Sequence, residues 1–265
     1  MTAVYNLLAR KEAWGSFLLL FVVLALWEWL PGAMGVPVFI VAPPSRVWAE
    51  FMRLLGVERL FLHTAITFFQ VIVGFILGSL LGMVVGYTLG LSKTAEFVLS
   101  PYILALQIAP KVAFAPLFVM WFGFNVYPKI LVAVLIVFFP ILINVLGAMR
   151  TLDGAYVSLA RSFSASKLQI FWKIQFPASM PALFSGLRIG STLAVIGVVV
   201  GEMVGGNNGL GYLLVFGEGQ ANTPMVFVAI LLLTLIGIVV YGLVVLLENR
   251  VLHYLPRAIT TEKST

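Results

Sequence analysis

Cysteine is absent from the 265 residues, so disulfides, thiolate nucleophiles and cysteine-bound metals are excluded at the outset. Histidine occurs only as His63 and His253, and the ten acidic residues form no cluster with metal-ligand spacing. Neither metal nor acid–base chemistry finds a constellation of side chains, and no catalytic or metal-ligating residue is assigned. Charged residues are scarce, at 10%. A phosphate-binding GxxxxGK followed by Ser or Thr is also missing. The GGNNGLG run at 205–211 follows no strand, and it reads as turns and short re-entrant structure.

What fills the chain is apolar. Hydrophobic residues make up 62% and the mean hydropathy is +1.09, against ~45–50% apolar residues in soluble domains. Six apolar runs, at about 14–31, 63–91, 97–121, 127–149, 178–204 and 224–250, are each long enough to cross a bilayer. The expected fold is an all-α integral membrane domain over residues 1–265 with six transmembrane helices. The first run follows Arg10 and Lys11 but continues through Trp27 and Trp29 without a small-x-small cleavage site, so it reads as a span.

The net charge is +6, but the basic residues are scattered over connections and not grouped with exposed aromatics. They read as topology determinants in a bilayer and not as a nucleic-acid surface. With the N-terminus inside, Arg10, Lys11, Lys93, Arg150, Arg161, Lys167, Lys173, Arg188, Arg250, Arg257 and Lys263 face the cytoplasm. Arg46, Arg53, Arg59 and Lys129 face outward, and Lys111 stays within a span. Eleven against four predicts that both termini are cytoplasmic.

The connections differ in character. The outer segment at about 32–62 contains Pro37, Pro43 and Pro44, then SRVWAEFMRLL, which predicts an interfacial helix starting at Ser45 as N-cap. It either sets the angle of the next span or offers a docking surface. The second span carries glycine at 74, 78, 82, 86 and 90, a row without side chains where a neighbouring helix can approach, or slide. The third span is interrupted by Pro101, Pro110 and Pro116, each of which removes a backbone donor. Lys111 lies between two of them. Three readings stay open for it: an anion-attracting group in a water-filled path, a snorkelling lysine, or a partner of Glu202.

The segment from Arg150 to Pro181, between the fourth and fifth spans, is unusual in a membrane protein. It holds Arg150, Asp153, Arg161, Lys167 and Lys173. Two helical pieces are expected, Thr151–Phe163 capped by Thr151, and Lys167–Phe176 ended by Pro177, with Ser164-Ala165-Ser166 as the break. Ile170 and Phe171 on such a surface need a covering partner.

The spacing in this segment resembles the EAA signature of permease subunits of binding-protein-dependent type I ABC importers. In that family Glu-Ala-Ala is followed after three residues by Gly, and after nine more by Ile-x-Leu-Pro. Ser158-Leu159-Ala160, Ser164 and Ile174-Gln175-Phe176-Pro177 stand at those positions, so the family Glu, first Ala and Gly are replaced. The segments APKVAFAPLFVMWFG and VGEMVGGNNGLGYL resemble the nitrate, sulfonate, taurine and pyrimidine-precursor branch.

The resemblance implies a two-helix cytoplasmic coupling loop at about 150–177 that docks on an ABC ATPase. Its expected contact residues are Ala160, Arg161, Ser164, Ala165, Ser166, Lys167, Ile170, Phe171 and Ile174, with Pro177 setting the exit angle. ATP and Mg belong to the ATPase partner, and no cofactor is expected in this chain. A second permease copy completes the path, and an outer substrate-binding protein delivers the solute. The expected location is a bacterial-type inner membrane. Gln107, Lys111 and Glu202 are the candidate path residues. The rival reading is an ATP-independent secondary transporter or channel, for which the loop has no use.

Overall fold

Helix α3 (Leu60–Gly90) lies directly against α6 (Val126–Thr151) because its glycine row leaves no side chain between the two backbones. A methyl group added at Gly74, Gly78, Gly82, Gly86 or Gly90 would come within 2.6–3.0 Å of α6. The opposing residues are Ala133, Val137, Ile141, Val145 and Met149, also spaced by four, so the helices are parallel and methyl-bearing residues seat in glycine gaps. Such contact replaces the hydrophobic driving force that lipid does not provide. Helix α6 also meets α9 (Phe176–Gly205) antiparallel, where Gly197 and Gly201 lie against the Cα atoms of Ala133 and Lys129. Helix α6 is thus the central rod. This computed structural model describes residues 2–57 and 60–254, with side chains for 14–56 and 60–253. Arg59, Arg257 and Lys263 lie outside the described residues, as do the side chains of Arg10 and Lys11.

On the far side of α9, helices α10 (Leu210–Gly219) and α11 (Thr223–Val251) complete the main core through Leu210, Leu213, Val228, Leu233 and Val240. Helix α2 (Pro44–Val57) buries Val47 and Leu54 in the same core. Its Glu50 accepts a hydrogen bond from Asn222 at 2.7 Å, just before α11. The Arg53 guanidinium, bonded to Glu50, holds that carboxyl below the usual carboxylate range. Ser45 is not the N-cap that the sequence predicts. It lies in the first turn, and its amide and hydroxyl both donate to Glu28 of α1 (Thr2–Ala33), at 2.9 and 2.6 Å. A carboxylate from another helix thereby satisfies an amide that a local cap would otherwise serve.

Among the described residues five helices are long and apolar enough to cross a membrane, or six where a bent pair counts as one span. The pair is α4 (Lys93–Ile108) followed by a 3-10 turn (Lys111–Phe114) and α5 (Ala115–Phe122), bent by 82°. The interruption expected of the third span thus falls at Pro110, whereas Pro101 lies within α4 and Pro116 in the first turn of α5. Pro110 lacks an amide donor, and Ala109 before it leaves the helical region at ψ 138°. The fifth candidate span is also longer than expected. It runs unbroken from Lys167 to Gly205, 39 residues or about 58 Å.

Candidate functional site

Three places concentrate the polar and charged groups of this apolar chain: the loop between α6 and α9, a cavity at the bend of the third span, and a buried carboxylate. The loop comes first. Thr151 is the last residue of α6, and its hydroxyl donates back to the Gly147 carbonyl at 3.1 Å. The cap of α7 (Gly154–Ser162) is instead Asp153, whose carboxylate accepts the Ala155 amide at 2.8 Å. Two residues of extended chain separate the helices, which moves the cap from Thr151 to Asp153.

Helix α7 ends in a Schellman turn: the Ala165 amide donates to the Ala160 carbonyl at 3.0 Å and the Ser164 amide to Arg161 at 2.9 Å. Ser164 adopts φ +58° to make it, so serine takes the left-handed conformation in which the family has glycine. An L-residue held there is strained by ~1–2 kcal/mol. Ser164→Gly is therefore expected to stabilise the loop by about 0.5–1 kcal/mol, read as several-fold slower amide exchange in α7. Unchanged or faster exchange would contradict this account.

After the turn, Ser166 and Gln169 form a reciprocal capping box that starts α8 (Lys167–Ile170). A π-helical turn, Phe171–Gln175, then joins α8 to α9 without a break. The Phe176 amide donates across it to the Phe171 carbonyl. Pro177 sits in the first turn of α9 and does not terminate the helix. The wide turn absorbs its missing amide, so the second loop helix is the end of the fifth span.

The π turn also changes which side chains face out. Ile170 is 4% exposed, and Phe171 packs edge-on against Tyr87, 5.4 Å between ring centroids. The Tyr87 hydroxyl in turn pairs with Ser179 at 2.8 Å. Ile170 is thus buried and Phe171 half-buried, with Phe171 anchoring the loop to α3. The exposed apolar side chains are Tyr156, Leu159, Phe163, Leu168 and Trp172, each 56–79% accessible. Arg161, Ser164, Ser166 and Lys167 are exposed beside them, while Ala160, Ala165, Ile174 and Pro177 are half-buried. Sequence reading missed the exposed set because α7 and α8 are too short for their buried faces to be read from periodicity, and the π turn then offsets the residues that follow it.

At the bend of the third span, Lys111 and Gln107 line a cavity of about 500 Å³ with Ile136, Phe139, Asn144 and Ile189. The Lys111 ammonium donates to the Gln107 carbonyl and stands 4.8 Å from the Phe139 ring centroid. Pro140 within α6 leaves the Ile136 carbonyl, on the same wall, without its helical donor. The cavity therefore combines one cation, two amides and an apolar wall, an arrangement suited to small polar or anionic molecules.

Glu202 does not share this cavity. Its side chain is 0% exposed and accepts hydrogen bonds from the Thr67 hydroxyl at 2.8 Å and the Gly211 amide at 2.7 Å. The Leu210 amide donates to Thr67, and the Gly209 amide to His63 Nδ1. The glycine-rich run thus winds around a carboxylate that ties α3, α9 and α10 together. A Cβ at Gly209, where φ is +110°, would lie 2.0 Å from the Glu202 Oε1. Of the three readings open for Lys111, pairing with Glu202 is not realised: these hydrogen bonds hold Glu202, and its charge neighbour is Lys129.

The family of inner membrane components of binding-protein-dependent transport systems matches residues 74–253. The riboflavin transport system permease of Chloroflexus aurantiacus is 37% identical over 235 residues, covering 89% of this chain and 88% of that protein. The formylaminopyrimidine transport permease of Halalkalibacterium halodurans is 33% identical over 240 residues, 90% of this chain and 93% of its own length. The methionine ABC transporter MetNI, solved in inward-facing conformations, shares the fold at TM-score 0.63 and 17% identity, covering 74% of this chain and 98% of the solved one. An ATP-independent transporter is not favoured by these relationships. The chain belongs to the inner membrane components of binding-protein-dependent transport systems, as the transmembrane permease subunit of an ABC importer.

Proposed function

We propose that two identical copies of this chain line the path for a small polar or anionic solute of the sulfonate, nitrate, taurine or pyrimidine-precursor type. Similar proteins are named for formylaminopyrimidine and for aliphatic sulfonates, at 33% and 32% identity, which supports this range as a whole. An outer binding protein delivers the solute, and a cytoplasmic ATPase carrying ATP and Mg drives transport. The location is the inner membrane with both termini cytoplasmic, supported by the distribution of basic residues.

One observation carries this reading. A short loop exposes Tyr156, Leu159, Phe163, Leu168 and Trp172 together with Arg161 and Lys167, an apolar and aromatic surface that water alone does not stabilise. Helix α9 connects it to the cavity, because the helix bearing Leu168 and Trp172 also carries Ile189, Leu193 and Ile196 on the cavity wall. Closure of the ATPase pair would displace this one rigid rod. The solute would meet Gln107, Lys111 and Asn144.

The test is ATP-dependent uptake after co-purification with the ATPase and reconstitution into vesicles. Lys111→Ala is expected to reduce uptake about tenfold or more while leaving the assembled complex intact. Loss of assembly instead would make Lys111 structural. Uptake by the purified chain alone, without ATP, would overturn the importer reading.

A further inference from the structure

A second cavity, of about 530 Å³, opens where α3 and α6 begin, at the end of the bundle opposite the coupling loop. Two of its lining side chains are buried and unsatisfied. Lys129 is 6% exposed, and among the described residues no carboxylate oxygen lies within 4.0 Å of its ammonium. Gln70 is 2% exposed, and its side-chain oxygen has no hydrogen-bond partner. An ammonium this enclosed is costly without an anion beside it, so Lys129 marks a place where an anionic ligand belongs, and the Gln70 side chain beside it can turn its amide N–H toward that ligand.

The nearby carboxylate does not use up the Lys129 charge. Both Glu202 oxygens are already engaged by the Thr67 hydroxyl, and one also by the Gly211 amide. Glu202 is not on the cavity wall. Asn125 is likewise occupied, since it caps α6 through the Tyr127 amide. Asn207 and Asn208, exposed on the turn after α9, provide amides at the rim. The rings of Phe69 and Phe124, both exposed, form its apolar lip.

We infer that this cavity binds a small oxyanion, a carboxylate, sulfonate or phosphate head with an apolar body, held by Lys129 and the Gln70 amide between two phenylalanine rings. A cation at the base selects negative charge, the amides orient planar or tetrahedral oxygens, and the rings accept the body. Neither Gln107 nor Lys111 reaches this site, so it is separate from the candidate path and does not depend on that reading. A dissolved anion and the phosphate of an anionic lipid carry the same chemistry.

The experiment is fluorine NMR of 4-fluorobenzenesulfonate with the full-length chain in phosphatidylcholine nanodiscs. The probe signal should broaden on binding, whereas neutral 4-fluorobenzenesulfonamide should not. Gln70→Leu should weaken binding roughly tenfold. Lys129→Met should abolish it, and Asn207→Trp should plug the rim from an exposed position that folding does not depend on. If the lysine variant fails to fold, the tryptophan variant decides. Adding phosphatidylglycerol separates the two sources: loss of broadening identifies a lipid headgroup as occupant, and persistence identifies a soluble anion. No broadening, equal broadening of the sulfonamide, or binding untouched by Asn207→Trp would each overturn the assignment.

Discussion

Replacing Glu202 with alanine is expected to cost the folded chain roughly 3–5 kcal/mol, enough to remove the monodisperse species from size-exclusion profiles. The carboxylate accepts from Thr67 and from the first turn of α10, both buried. Removing it strands the Gly211 amide and the Thr67 hydroxyl, at ~1–3 kcal/mol for each buried unsatisfied group. It also removes the Glu202 charge that faces the Lys129 ammonium and opens a void against Gly209 and Gly211. Glu202→Gln keeps the volume and an acceptor oxygen, so it should lower the unfolding midpoint less. An alanine variant as stable as the parent, with only solute uptake impaired, would return Glu202 to the path.

The second large effect is expected at the loop. Leu159→Asp combined with Phe163→Asp should abolish co-purification of the ATPase while leaving the chain folded. Both side chains are more than half exposed, so charging them costs the isolated chain little. At a docked interface the same change buries two carboxylates in an aromatic contact, several kcal/mol or a loss of ~100-fold or more in affinity. Ile170→Asp with Phe171→Asp should behave differently. Ile170 is enclosed and Phe171 packs on Tyr87, so this pair should lose the folded chain before any question of partner binding arises. The readout is a pull-down of tagged chain with ATPase activity on the eluate, alongside a folding measurement on each variant. Retention of the ATPase by the Leu159–Phe163 variant would show that the partner docks elsewhere.

These two experiments fall where sequence reading and structure part. The apolar runs determined a membrane bundle, because a bilayer core demands ~20 apolar residues per crossing and satisfies no other arrangement of helical backbone. The glycine spacing in α3 likewise determined a packing seam, since a period of four keeps one face on a helix. The charged loop and its EAA-like spacing were legible for the same reason: polarity is costly near lipid, and a long polar insertion between spans stands out.

Other features depended on groups distant in the chain. Glu28 replaced the expected local cap of α2, and Thr67 and Gly211 claimed Glu202 ahead of any lysine. Lys129 was read only as an outward-facing charge, because nothing in its neighbours along the chain signals that α9 and the Asn207 turn enclose it. Which loop side chains turn inward depended on the packing of Phe171 on Tyr87, with the π-helical turn at Phe171–Gln175 offsetting the residues after it. Local pattern sets which residues can form helices and spans. Which face each helix buries, and which polar group answers which, follows from contacts between segments as much as 184 residues apart, and only the folded bundle brings those together.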